Sequence, residues 1–154
     1  QTALKSTPLH HACYFGCLDI AQELICHGAN LNARDANGNT PLMVALSGGN
    51  VKLTKELIHH GADIQARNLD GQTVLHIACS HSVNENEELN TLDVDVRLDV
   101  VQALLAQNAN ICALNEQQQT PLILAATSPS SIDNVNVIFE LVRHDPNSVI
   151  EMVQ

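Results

Sequence analysis

Thr7-Pro8-Leu9-His10-His11-Ala12 opens a pattern that this chain keeps restating. It returns as Thr40-Pro41-Leu42-Met43, as Thr73-Val74-Leu75-His76-Ile77-Ala78 and as Thr120-Pro121-Leu122-Ile123. The first two intervals are 33 residues each and the third is 47. A second phrase runs in phase with the first: His27-Gly28-Ala29-Asn30, His60-Gly61-Ala62-Asp63 and Gln107-Asn108-Ala109-Asn110. A third precedes each restart: Asp35-Ala36-Asn37-Gly38, Asn68-Leu69-Asp70-Gly71 and, degenerately, Asn115-Glu116-Gln117-Gln118. Three phrases locked to one period specify a repeat architecture, whose units bury their apolar faces only by stacking on one another.

Each phrase has a mechanical reason. Threonine caps a helix by accepting a backbone N–H, and proline at the first helical position gives up no needed hydrogen bond. Gly28 and Gly61 stand where a second helix would end, a place that favours left-handed backbone. Asn37-Gly38 and Asp70-Gly71 are tight-turn dipeptides. The spacing predicts inner helices over about 8–15, 41–48, 74–81 and 121–128, and outer helices over about 18–27, 51–60, 98–107 and 136–144. Ile20, Leu24 and Ile25 predict an apolar stripe on the first outer helix, Leu53, Leu57 and Ile58 on the second, and Val100, Leu104 and Leu105 on the third. Helices this short do not stand alone in water, so stacking must supply their stability.

The pattern resembles the ankyrin-repeat family, with its 33-residue period and T-P-L-H-x-A phrase. The resemblance spans essentially the whole chain and implies an all-α solenoid of helix-turn-helix units joined by β-hairpin-like turns. It implies one domain over residues 1–154, with units at about 7–39, 40–72, 73–119 and 120–154. The chain departs from the family at Val74, at Asn108 in place of glycine, and at Asp145-Pro146-Asn147. It begins at Gln1 without methionine, which suggests a fragment of something longer. Ser148-Val149-Ile150-Glu151 has capping-box spacing and reads either as a terminal covering helix or as a cut edge in a longer array.

The 14 extra residues of the third interval fall within about 82–97. Glu85, Glu87, Glu88, Asp93 and Asp95 oppose only Arg97 there. Ser82–Asn90 reads as an exposed loop. Leu92, Val94, Val96 and Leu98 then alternate with charge, as a short strand would, or as an early start to the third outer helix.

The family resemblance implies that a partner protein contacts the hairpin tips and the exposed face of the inner helices. Matching tip positions are Asn37, Asn39, Leu69, Asp70, Gln72 and Glu116. Matching inner-helix positions are His11, Tyr14, Phe15, Val44, Ile77 and His81. Tyr14 and Phe15 are two of only three aromatic residues, and aromatic anchors commonly dominate binding energy. Glu85, Glu87 and Glu88 join the candidates because insertions in solenoids often map to the binding side.

Composition narrows the partner. Net charge is -10, which suits neither a phosphate backbone nor an anionic membrane surface, and matches a partner with a basic surface. No membrane span is expected, because no apolar run approaches the required length. The five cysteines form no framework, so they read as reduced thiols, mostly buried, in the cytoplasm; the nucleus, or the host cytosol for a bacterial effector, are the alternatives. His10 and His76 share one repeat position and His27 and His60 another, which explains them structurally rather than as zinc ligands. No metal or cofactor is expected, and no phosphate loop, nucleophile elbow or metalloprotease helix is present. The expected function is therefore a non-catalytic protein–protein interaction platform. The alternatives are a structural spacer, or a regulatory or targeting domain of a larger enzyme or bacterial effector.

Overall fold

The fold is a stack of helix pairs, built from the phrases quoted above. A computed structural model describes residues 5–80, 94–127 and 134–145. The first pair is α1 (Pro8–Phe15) and α2 (Leu18–Cys26), and the second is α3 (Pro41–Ser47) and α4 (Val51–His59). The third is α5 (Val74–Ser80) and α6 (Val94–Ala106), and the fourth is α7 (Pro121–Thr127) and α8 (Val135–His144). No strand occurs among the described residues. The inner helices stack in the order α1, α3, α5, α7, and the outer helices in the order α2, α4, α6, α8.

The repeated threonine starts every inner helix. Thr7, Thr40, Thr73 and Thr120 each accept, through Oγ1, the N–H three residues on, at 3.4, 3.4, 3.5 and 3.3 Å. Where that third residue is histidine, a longer-range tie follows. Thr7 N–H donates to His10 Nδ1 at 3.1 Å, so the ring proton sits on Nε2, which donates to Asn39 O at 3.0 Å. Thr73, His76 and Gln119 repeat the arrangement at 3.2 and 3.0 Å. Met43 and Ile123 occupy the position in the other two pairs and have no such tie to make. His76 is fully buried, and desolvation lowers its pKa below the ordinary imidazole value.

The turns between pairs are side-chain-closed. Asp35 Oδ1 accepts the N–H groups of Asn37 and Asn39 at 2.9 and 2.8 Å. Asn68 and Asn115 do the same for Asp70 with Gln72 and for Gln117 with Gln119. The degenerate third turn keeps the shape by forcing Gln118 to φ 59°, where Gly38 and Gly71 sit in its counterparts. Adjacent turns are laddered, with Leu69 N–H donating to Asn37 O and Glu116 N–H to Asp70 O, both at 3.0 Å.

The core is one continuous apolar layer running through all four pairs. The second and third outer-helix stripes are buried as expected. The first is not: Leu24 and Ile25 are partly buried, and of the residues before them Ala21 is buried while Ile20 is exposed. The helix face is the expected one, and what differs is the neighbour that would cover Ile20. Of the cysteines, Cys13 and Cys79 are buried, Cys17 is half-buried, and Cys26 and Cys112 are exposed, so burial holds for fewer of them than expected. The third outer helix begins at Val94, four residues ahead of the expected start, which resolves the alternation there as helix and not strand. The rest of the insertion and the capping-box segment at 148–151 lie outside the described residues.

Candidate partner-binding surface

Six of the sequence candidates converge on one groove. His11, Tyr14 and Phe15 on α1, Val44 on α3, and Asn37 and Asn39 of the first turn line a cleft of about 510 Å³, closed by Ser6, His10, Asp35, Ser47 and Gly48. Tyr14 and Phe15 are 65% and 71% exposed and meet edge to face, ring centroids 5.1 Å apart. In phase with Tyr14 the chain carries Ser47, Ser80 and Thr127, and in phase with Phe15 it carries Gly48. The two aromatics therefore depart from what the chain carries at the same positions elsewhere. Gly48 is part of the floor: a Cβ there would press to 3.2 Å on Tyr14 O.

The wall is held by a residue that the spacing argument does not single out. Asn50, at the N-terminal cap of α4, donates through Nδ2 to Cys13 O at 2.8 Å and Tyr14 O at 3.3 Å. These are carbonyls at the end of α1, which have no partner inside the helix. Gly16 follows at φ 68°, and its lack of a side chain is what lets the Asn50 amide lie against it. Arg34 and Arg67 are also missed, although they stand 33 residues apart and in phase. Arg34 donates to Gly38 O at 3.1 Å and to Arg67 O, and Arg67 donates to Gly71 O at 3.0 Å and to Leu114 O, fastening successive turns together. Equal spacing of a charged residue was the available signal.

Electrostatics around the groove are one-sided. Asn68 and Asn115 close their turns with neutral amides, so the turn does not require the carboxylate that Asp35 brings to the groove rim. Asp70 and Glu116 extend exposed negative charge along the later tips.

The remaining candidates are placed as follows. Leu69 and Asp70 are exposed and Gln72 is half-buried on the second turn, and Glu116 is exposed on the third; none of them lines the groove. Ile77, expected on the exposed face, is only 6% exposed, because α5 lies inside the stack between α3 and α7. His81, Glu85, Glu87 and Glu88 lie outside the described residues. Phe139, the third aromatic, is exposed on α8, and the repeat register gave no reason to choose it. The buried thiols of Cys13 and Cys79 are pushed up to about 12 by desolvation and stay protonated at neutral pH. No group of three or more His, Cys, Asp or Glu placed to hold a metal ion occurs among the described residues.

Two family models match the chain. One, for ankyrin repeats in three copies, covers residues 1–68; the other, for a single ankyrin repeat, covers residues 70–116. The chain belongs to the ankyrin-repeat family. The ankyrin matches end before α7, and the fourth helix pair extends the same register on its own capped Thr120. No curated protein matches the chain. Ankyrin repeats in general bind other proteins and are typically non-catalytic. No described helix of this ankyrin stack is long and apolar enough to cross a membrane.

Proposed function

We propose that this ankyrin stack is a non-catalytic docking platform. The groove between α1, α3 and the first turn receives an apolar side chain of a partner protein, and that side chain is flanked by basic residues. The observation that carries this reading is the pair Tyr14 and Phe15: two adjacent, largely exposed aromatics on a groove wall, where the other units carry serine, threonine, glycine or histidine. Exposing that much ring surface is unfavourable in isolation and repaid on binding. Asp35 at the rim, and a net charge of -10 over the chain, favour a basic partner and speed its encounter. The four helix pairs act as one domain that holds the groove rigid. The odd count of five cysteines, with no clustered framework, supports residence in a reducing compartment such as the cytoplasm.

The test is quantitative affinity purification with three baits: the parent, Tyr14→Ala/Phe15→Ala, and Phe139→Ala, each confirmed helical by circular dichroism. Losing two aromatic anchors costs more than about 2 kcal/mol, or roughly 30-fold in affinity, if they form the centre of an interface. A protein retained by the parent and the Phe139 variant, and lost from the double variant, supports the reading. Equal retention by all three removes the groove from consideration.

A further inference from the structure

Two departures from the repeat meet in one groove. Asp35 is the only Asp, Glu, Lys or Arg among the residues lining the cleft between α1 and α3. In phase with it, the later turns carry the neutral residues Asn68 and Asn115. In phase with the aromatic pair Tyr14-Phe15, the next two inner helices carry Ser47-Gly48 and Ser80-His81. A carboxylate and a ring pair therefore coincide in the first groove, and the two that follow have neither.

The two features are spaced along the groove. The Asp35 N–H and the His10 Nε2–H donate to the same acceptor, Asn39 O, at 3.0 Å each, which sets Asp35 level with the His10 turn of α1. Tyr14 and Phe15 follow His10 by four and five residues, a rise of about 6–7.5 Å along the helix. An extended peptide presents every second side chain on one side, at intervals of about 6.5–7 Å. The two lengths agree. Adjacent residues of such a peptide point to opposite sides, and residues three apart do the same at about 10 Å, so neither spacing serves both ends. Asp35 also has acceptor capacity to spare. Its Oδ1 is taken by the Asn37 and Asn39 N–H groups at 2.9 and 2.8 Å, whereas its Oδ2 receives the Asn39 Nδ2 at a long 3.3 Å.

We infer, resting on the docking role proposed above, that the groove reads an extended segment of the partner in which a basic and an apolar residue are separated by one residue. The cationic head donates to Asp35 Oδ2 in a charge-assisted hydrogen bond. The apolar side chain lies on the rings of Tyr14 and Phe15, and the residue between them points to solvent. Asn37, exposed on the same rim, offers the segment's backbone both a donor and an acceptor through its carboxamide.

Fluorescence anisotropy with three labelled hexapeptides of otherwise serine and glycine tests this. In the first, arginine and leucine flank one serine; in the second they are adjacent; in the third, glutamine replaces the arginine of the first. The parent chain is expected to bind the first at least tenfold tighter than either of the others. Asp35→Asn should weaken the first roughly tenfold and leave the glutamine peptide unchanged. Its turn is retained, because Asn68 and Asn115 already close theirs with the same amide. Asp35→Asn/Gln102→Glu restores the net charge of -10 from an exposed position on α6, and should bind as weakly as Asp35→Asn alone. Equal affinity for the first two peptides overturns the inference, and so does recovery of binding by Gln102→Glu, which would make the attraction a matter of overall charge. Absence of binding by any peptide at millimolar concentration overturns it too, while leaving the docking role to the affinity purification. Peptide binding that survives Tyr14→Ala/Phe15→Ala removes both.

Discussion

Gly16→Ala tests how the groove wall is held. A methyl at position 16 meets two obstacles: backbone at φ 68°, and the Asn50 side-chain amide lying where the new Cβ would be. Left-handed backbone costs an alanine roughly 1–2 kcal/mol, and its stiffer unfolded chain returns roughly 0.4–1. Displacing the amide forfeits its bonds to Cys13 O and Tyr14 O, worth roughly 0.5–1.5 kcal/mol each. The single variant is therefore destabilised by about 2.5 kcal/mol, and Asn50→Ala alone, which loses the same two bonds, by about 2. With the amide already gone, the alanine at 16 adds only its backbone strain, about 0.5–1 kcal/mol, which leaves a coupling of about 1.5–2. Urea denaturation of the parent, both singles and the double variant measures that coupling directly. Strict additivity would refute the account, since it would mean that the amide yields to the methyl without losing its carbonyls.

Three further outcomes are expected. Because His76 is depressed below its unfolded value of about 6.5, the unfolded chain binds the extra proton first. Its contribution to stability is thus complete above about pH 6.5 and is lost as pH falls from there toward the folded value; His76→Gln should flatten this part of a pH–stability profile measured by denaturant melts. In native protein at pH 8, Cys26 and Cys112 should react with a maleimide at least tenfold faster than Cys13 and Cys79, whose thiols are buried and held protonated, with all five reacting in urea. Gln118→Gly removes a left-handed non-glycine residue and should raise stability by about 0.5–1 kcal/mol, seen as a later thermal midpoint; a fall would mean that the Gln118 side chain contributes a contact.

Local chemistry was readable from the chain, and neighbour-dependent burial was not. The threonine caps, the proline starts and the turn glycines are decided within four residues, so their spacing places the helices to within a residue or two. The ends of α6 show the limit, because the alternation at 92–98 suits a strand or a helix equally and the packing against α4 and α8 decides it. Ile20 and Ile77 fail in opposite directions for one reason. Periodicity says which face of a helix is apolar, but the next layer determines whether that face is covered; among the described residues no layer lies beside Ile20, whereas one lies on each side of Ile77. Tyr14, Phe15, Asn37, Asn39, Val44 and His11 could be brought together because repeat register maps sequence to position directly. Asn50 escaped because its partners, Cys13 and Tyr14, are 37 and 36 residues away, in the previous pair.

The imidazole ties are unevenly distributed along the stack, and this has a mechanical meaning. His10 and His76 pin α1 to the first turn and α5 to the third, while Met43 leaves α3 without an equivalent pin to the second. A rod that is stiff at two joints and compliant at the one between them concentrates its thermal bending in the middle. The compliant joint lies beyond the groove, whose own seam is the one clamped by His10. Flexing of the array is thus expected between α3 and the turn at 68–72, away from the groove. Hydrogen exchange should report this as earlier opening of the Leu69 amide than of the amides at Asn37 and Asn39.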